Sequence, residues 1–318
     1  MNNICIMMAT FNGESYIEEQ IKSIQSQTYH NWTLLIRDDN SNDNTKAIIE
    51  RFAKDDLRIK LLIDSLGNLG SNSNFSELMK RATHDSAQYF CFSDQDDVWQ
   101  ENKLEIMLRY VKELESLNGI GTPILVYSDL EVVDVNLQAL DPSFMNYQGL
   151  AHPTSDILGR ILVQNVVTGC ASFFNLSLLK IARQVPPSAL VHDWWLALCA
   201  ASCGLIEFLP FALVKYRQHG KNQIGAKDFN ARNNPFKKQL YVRVLNSRKN
   251  ALNVINQSKC LWTLKGDFLD ESVNDRLVMF SKIETANLFT RLKILKSLGV
   301  SRSKFFDTLS LYLRFLLL

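Results

Sequence analysis

Gln88-Tyr89-Phe90-Cys91-Phe92-Ser93-Asp94-Gln95-Asp96-Asp97-Val98-Trp99 joins an apolar run to three carboxylates, and Glu101 adds a fourth. Residues 88–93 read as a buried strand, because the run is short, continuous and rich in aromatics. Acids crowded just past such a strand repel one another unless positive charge sits beside them. A divalent cation that also binds a phosphate meets that need, since hard cations prefer oxygen ligands and bridge to diphosphates. The competing reading is a solvated turn in which Asp96 or Asp97 caps a helix starting near Glu101.

Outward from that stretch, strand and helix alternate. Residues 3–9 form an apolar strand, and 14–26 carry helical spacing through Ile17, Ile21 and Ile24. A second strand at 32–37 precedes a helix at 43–54, with Ile48, Ile49 and Phe52 on one face. A third strand at 59–63 precedes a helix at 74–82. The strand at 88–93 feeds a helix through Leu104, Met107, Leu108 and Val111, and 124–128 is a fifth strand. This order predicts an α/β fold, a mostly parallel sheet flanked by helices through right-handed crossovers. Ligands in such folds gather at the carboxyl ends of the strands. Thr10 to Glu14, Arg37 to Ser41, Asp94 to Asp97 and Ser128-Asp129 are all expected at such ends.

Length, charge and low Gly and Pro content are those of a globular chain of one large or two modest domains. The six cysteines are scattered with no C-x-x-C pair, which favours buried thiols over a zinc site or disulfides. Residues 1–15 lack the pattern of a secretory signal, and no apolar run is long enough to span a bilayer. A cytoplasmic protein, soluble or held at the membrane surface, is expected. Charge divides along the chain: residues 1–231 hold 19 Lys and Arg against 27 Asp and Glu, and residues 232–318 hold 16 against 6. Such a division predicts two parts with different partners.

Met7-Met8-Ala9-Thr10-Phe11-Asn12-Gly13-Glu14 resembles the opening strand and loop of family-two nucleotide-sugar glycosyltransferases. Ser26-Gln27-Thr28-Tyr29 through Arg37-Asp38-Asp39-Asn40-Ser41-Asn42-Asp43 is similar to their second signature, and Asp94-Gln95-Asp96-Asp97 to their D-x-D. The resemblance covers residues 1–130 well and continues more thinly to about 225. It implies a GT-A fold with the donor nucleotide on the half at 1–130 and the acceptor on the half at 131–225. It also implies that the backbone of Thr10, Phe11 and Asn12, with Glu14 and Asp39, holds base and ribose. Asp94 is then near the ribose, and Asp96 ligates Mg2+ or Mn2+ on the diphosphate. Independently, a base imide N–H needs an acceptor, and a carboxylate at a strand end supplies one. Asp39 is preferred to Asp38 there, since adjacent residues on a strand face opposite ways. Glu14 has an alternative role as a first-turn acid favouring the helix dipole.

Val191-His192-Asp193-Trp194-Trp195 follows Pro186-Pro187 and opens an apolar helix ending near Gly204. An acid and two tryptophans there can be cap and core. In the family an Asp at this position is the general base of inverting transfer. The chemistry asks for one, because an acceptor hydroxyl must lose its proton as it attacks the anomeric carbon. Asp193 is the expected base, with Trp194 against a sugar face. Asn165 to Ala171 resembles the acceptor-side strand, where Cys170 has no adjacent base and is expected to pack. Tyr216-Arg217-Gln218-His219-Gly220-Lys221 supplies basic and amide donors for a diphosphate loop. Arg217 or Lys221 could neutralise the leaving group, and His219 could be a further metal ligand or a structural histidine.

Residues 226–318 form a basic helical extension. Leu288, Leu292 and Leu295 share a helical face with Arg291, Lys293 and Lys296 around it. Ser301 or Ser303 can cap a last helix carrying Phe305, Phe306, Leu309, Leu313 and Leu316. A basic helix with a broad apolar face suits an anionic membrane interface, on the cytoplasmic side of the plasma membrane. Packing on the catalytic domain or a twin subunit is the alternative. No nucleic-acid partner is expected, because no aromatic platform or binding motif accompanies the charge. His192-Asp193-Trp194-Trp195 with Tyr216-Arg217-Gln218-His219 resembles the subgroup assigned to rhamnose transfer in bacterial surface polysaccharides, which implies dTDP-L-rhamnose as donor. A UDP-sugar donor, galactose or N-acetylhexosamine, competes with it. The expected acceptor is a glycan or lipid-linked oligosaccharide. A non-catalytic nucleotide-sugar or glycan-binding protein is the other class, and it would have no need of Asp193.

Overall fold

The computed structural model describes residues 3–83, 86–220, 240–265, 268–303, 305–316 and 318. In chain order the elements are β1 (Ile4–Thr10), α1 (Ile17–Gln25), β2 (Trp32–Asp38), α2 (Thr45–Asp55), β3 (Ile59–Leu61), α3 (Ser71–Ala82), β4 (Tyr89–Ser93), β5 (Val98–Trp99) and α4 (Lys103–Asn118). There follow β6 (Ile124–Val133), β7 (Ala139–Asp141), α5 (Phe144–Gln148), α6 (Ile157–Ile161), β8 (Ser172–Asn175), α7 (Leu176–Ala182), α8 (His192–Cys203) and β9 (Leu205–Arg217). The last four helices are α9 (Leu240–Lys265), α10 (Glu271–Ser281), α11 (Leu288–Ser297) and α12 (Phe305–Leu316).

One sheet carries the strands in the order β3-β2-β1-β4-β8-β6-β9-β5, with β7 beside β6. The long ladders, β1 with β2 and β4 and β6 with β9, are parallel, as is the short one of β2 with β3. The antiparallel ladders of β4 with β8, β5 with β9, β6 with β7 and β6 with β8 are each short. The α/β class expected from the alternation is the class observed. β1 shows why the apolar runs were strong signals. Ile4-Cys5-Ile6-Met7-Met8 is fully buried, because a central parallel strand has both neighbours and both faces covered and needs no alternation. On α1, Ile17, Ile21 and Ile24 turn one stripe inward, each contributing about 1.5–3 kcal/mol by burial. Phe75, Phe92, Phe174 and Phe90 form a run of ring contacts at 5.1–6.0 Å between centroids.

Register places the polar loops. Thr10 lies opposite Asp38, and Met8 opposite Ser93, so β1, β2 and β4 release their carboxyl ends along one edge. After the acids the chain does not enter a helix directly. It forms β5, whose Val98 and Trp99 pair with Lys215 and Val214, and this returns the end of β9 to the acid turn. The helix begins only at Lys103 after Asn102, so neither Asp96 nor Asp97 caps it. The β6–β9 ladder shifts register near Asp129, skipping Pro210 and Phe211 on β9. Asp129 therefore lies within a longer strand than expected, not at a strand end.

The chain divides into two units. The first comprises residues 1–144, 167–185 and 205–226 and contains the whole sheet. The second comprises 145–166, 186–204 and 227–318, and the elements among its described residues are helices. Within the second, α12 packs on α9 and α11, with Leu311 and Phe315 buried and Phe280 5.7 Å from Phe315. Arg276 joins the Asp156 carboxylate and the Leu298 carbonyl (2.9 Å). Ser303 N–H donates to Gln164 Oε1 (2.9 Å), and Leu190 N–H to Gln257 Oε1 (2.8 Å). All six cysteines are free thiols. Among the described residues, no helix is long and apolar enough to cross a membrane.

Candidate active site

In the first unit the loop after β1 is built by hydrogen bonds to its neighbours. Thr10 Oγ1 donates to Asp38 Oδ1 (2.9 Å), and Asn12, at φ 48°, donates its N–H to Ser41 Oγ (2.8 Å). Gln95, between Asp94 and Asp96, clamps the exposed Phe11. Its Oε1 accepts from Phe11 N–H at 2.9 Å, and its Nε2 donates to the Phe11 carbonyl at 3.0 Å. A Cβ on Gly13 would collide with that same amide, so a larger residue here would push Gln95 off Phe11. Glu14 does not serve its own helix. Its carboxylate accepts from the backbone and side chain of Asn44, both at 2.9 Å, at the N-terminus of α2.

Asp38 and Asp39 divide as strand geometry demands. Asp38 faces the loop, bonded to Thr10 and to Ser41 N–H and Oγ. Asp39 turns inward and is 2% exposed. Its oxygens accept from Arg37 Nη1, Leu69 N–H and Gly70 N–H, each at 2.7 Å. A carboxylate offers about four acceptor positions, so one remains beyond these three. Arg37, which the sequence did not single out, also binds Asp64 and the Gly67 carbonyl (3.0 Å), ordering the 64–70 segment. Its hydrogen bonds, with its charge behind them, hold Asp64 below the usual carboxylate range.

The acid turn separates its members. Asp96 Oδ2 lies 2.7 Å from His219 Nε2, and the His219 ring stacks on Tyr16 at 4.8 Å and 21°. Asp97 points the other way and is fully buried, with Oδ1 accepting from Arg217 N–H (3.2 Å). Ligand atoms of Asp94, Asp97 and Cys170 all lie within 4.8 Å of one another. Burial first, and the charges of Asp96 and Asp94 second, push the Asp97 carboxyl well above its ordinary range. Burial and nearby Asp97 and Asp94 likewise raise the Cys170 thiol, so packing and not nucleophilic chemistry is its state.

The protein supplies its own counter-charge at Lys103, which the sequence presents as an ordinary first residue of a helix. Its ammonium is fully buried, donates to the Cys170 carbonyl (2.6 Å) and lies 3.4 Å from the Trp99 ring centroid. Burial lowers it to about 8, against the upward pull of Cys91, Cys170, Asp97 and Asp94. Arg217 departs from its expected use on a diphosphate. Because β9 pairs with both β5 and β6, the Arg217 side chain is enclosed and its guanidinium is held by protein groups. Lys221 lies outside the described residues.

The second unit holds the expected base. Asp193 stands in the first turn of α8, and the preceding Val191 makes no side-chain cap. Asp193 Oδ1 accepts from Asn165 Nδ2 at 3.0 Å, a partner the sequence did not reveal. Trp194 donates its indole N–H to the Ile161 carbonyl (2.6 Å), which fixes the ring and leaves it half-buried. Trp195 is core, and His192 is buried, which lowers its imidazole to about 3. Asp129, expected at a strand end, is tied to Leu130 N–H and to Ser143 Oγ (2.6 Å) within the first unit.

For a divalent cation, Asp96 offers a carboxylate oxygen, the donor that suits Mg2+ or Mn2+ at a diphosphate. The His219 nitrogen hydrogen-bonded to it is a second donor, one that favours a transition metal such as Mn2+ over Mg2+. The residues fit that group.

Comparison with known proteins follows the same lines. Residues 5–167 match the sequence model of the family described as Glycosyl transferase family 2. The chain is 31% identical over 234 residues to the dTDP-rhamnosyl transferase RfbG of Shigella flexneri, covering 69% of this chain and 74% of that protein. It is 34% identical over 133 residues to the UDP-Glc:alpha-D-GlcNAc-diphosphoundecaprenol beta-1,3-glucosyltransferase WfgD of Escherichia coli, covering 42% and 47%. The fold resembles S. aureus TarS 1-349 in complex with UDP-GlcNAc, with a TM-score of 0.56 at 13% identity over 99% of this chain and 90% of that one. It also resembles the mannosyltransferase PcManGT of Pyrobaculum calidifontis in complex with GDP-Man and Mn2+, with a TM-score of 0.53 at 14% identity over 93% and 73%. At these identities the structural likeness shows the fold, which is of GT-A type. The family match over half the chain and the identity to RfbG carry more: the chain belongs to glycosyl transferase family 2 and is a glycosyltransferase.

Proposed function

We propose that this enzyme transfers a sugar, L-rhamnose from dTDP-L-rhamnose, onto a polysaccharide or lipid-linked glycan with inversion. The identity to a dTDP-rhamnosyl transferase over three quarters of its length supports the sugar. The approach of Asp96 to His219 at 2.7 Å is the observation that carries the donor chemistry. In this reading the loop of Thr10, Phe11 and Asn12, with Glu14, Asp39 and Asp94, holds the nucleoside. Asp96 and His219 hold Mn2+ or Mg2+, which when bound would neutralise the leaving diphosphate.

Asp193 accepts the proton of the attacking acceptor hydroxyl. As the new C1–O bond forms, the bond from C1 to the phosphate oxygen breaks, and dTDP leaves with the electron pair. Asn165 holds one carboxylate oxygen, so the base enters with its orientation set. Trp194, fixed by Ile161, offers a ring face to the acceptor. Exposed Leu288 and Phe289 on α11, with Lys293 and Lys296 also exposed, support contact with an anionic membrane surface. An acceptor on a lipid diphosphate, like that in the name of WfgD, would be met there.

Thermal unfolding with a panel of nucleotide sugars tests the donor, because a ligand of the native state raises the melting temperature. dTDP-L-rhamnose with Mn2+ or Mg2+ should give the largest rise, and Asp96→Ala should abolish it. A larger rise with a UDP-sugar would overturn the assignment of the donor.

A further inference from the structure

His219 leaves the end of β9 two residues after Arg217, and Arg217 is bound to three other segments. Its guanidinium, 2% exposed, donates from Nε to the Asp96 carbonyl (2.8 Å) and from Nη1 to the Val135 carbonyl (2.7 Å). Nη2 meets the carboxylate of Glu19 on α1, and the Arg217 backbone N–H reaches Asp97 Oδ1. Tyr16, at the start of α1, stacks on His219 and has the Arg217 guanidinium 4.9 Å from its ring centroid. One aromatic ring thus contacts both the arginine that grips the Asp96 backbone and the histidine that meets the Asp96 carboxylate.

A buried guanidinium is tolerated only with its donors satisfied, and Arg217 uses them to tie the Asp96 carbonyl of the acid turn to Glu19 on α1 and to Val135. An ammonium in its place carries its three donors on one atom and cannot span acceptors that Arg217 reaches from three separate nitrogens. The Tyr16 face restricts the imidazole plane, so that the Nε2 edge is presented to Asp96. We propose that Tyr16, Glu19 and Arg217 are positioning residues, a clamp that sets Asp96 and His219 for a divalent cation bound with a nucleoside diphosphate. This rests on the reading of Asp96 and His219 as the cation's ligands.

The test is Mn2+ binding, read by electron paramagnetic resonance of the free ion in the presence of dTDP or UDP, with melting temperature measured on the same samples. The full chain is compared with Tyr16→Leu and Arg217→Lys, and with Asp96→Asn and His219→Ala as references. Loss of an outer partner of a metal ligand weakens affinity about 10–100-fold, and both clamp variants should fall in that range while still folded. A role in stability alone would lower the melting temperature and leave Mn2+ affinity per folded molecule unchanged. Affinity within twofold of wild type in Tyr16→Leu, with His219→Ala clearly weakened, overturns the clamp. Unchanged affinity in Asp96→Asn and His219→Ala overturns the cation reading itself, and the clamp with it. Should Arg217→Lys not fold, Tyr16→Leu decides, since it leaves Arg217 and its ion pair with Glu19 in place.

Discussion

At Asp97 a carboxyl group is held where water does not reach, beside two further acids. Its raised pKa means that the folded chain keeps a proton there after the unfolded chain has lost it. The unfolded state then binds fewer protons, so this residue's contribution to stability is complete below about pH 3.8 and is lost as pH rises through the folded value. Asp97→Asn removes that dependence. In metal-free buffer, urea unfolding should show the variant gaining on wild type as pH rises above about 3.8, and an equal slope in both proteins would contradict the assignment. His192 acts in the opposite direction. Its imidazole, lowered to about 3 by burial, stays neutral while the unfolded chain takes up a proton. Stability from this group is present above pH 6.5 and falls by roughly 1.4 kcal/mol per pH unit on acidification toward 3. His192→Leu should flatten that limb of a pH–stability curve.

Elements with a strong period or an unbroken apolar run were legible before folding. β1, β4 and α1 appear where Ile4 to Met8, Tyr89 to Phe92 and the Ile17, Ile21, Ile24 stripe place them. The acid turn was also visible, because carboxylates at the end of a buried strand are a local signal. What escaped depends on partners distant in the chain. β5 has two residues and exists only because Lys215 and Val214 pair with it. Arg217 reads as a free cation in a list of residues, and its burial follows from the closure of β9 on Glu19 and Val135. Lys103 is hidden for the same reason: nothing local to it announces Cys170 or the Trp99 ring. Its charge beneath the acid turn has a consequence for α4. Lys103→Met keeps the stem but leaves the Cys170 carbonyl without its 2.6 Å donor. We expect a loss of about 1–3 kcal/mol, the cost of a buried acceptor left unmet, read as a lower urea midpoint. A midpoint at or above wild type would show that burying the ammonium costs as much as its bonds return.

For the whole molecule, the basic C-terminal helices, expected either at a membrane surface or packed on the catalytic domain or a twin subunit, share a unit with Asn165, Asp193 and Trp194. Val300, Leu311 and Phe315 are buried, and Gly299, at φ 60°, leaves room for the Asp156 carboxylate. Deleting residues 299–318 should therefore unfold the second unit, seen as a lost or strongly lowered melting transition, where a mere anchor would come away with stability intact. Membrane contact is better probed by Lys293→Glu with Lys296→Glu, both exposed. The pair should reduce cosedimentation with anionic vesicles and leave the melting temperature within a degree or two, whereas equal cosedimentation would remove the membrane from the account. The direct test of inverting transfer is turnover of Asp193→Asn beside wild type, with dTDP-L-rhamnose, metal and a glycan acceptor, on preparations whose nucleotide affinity has been measured. The amide keeps the size of Asp193 but cannot take the acceptor's proton. Donor binding should stay near wild type while transfer falls by about a hundredfold or more. Transfer at the wild-type rate by folded Asp193→Asn would contradict the account.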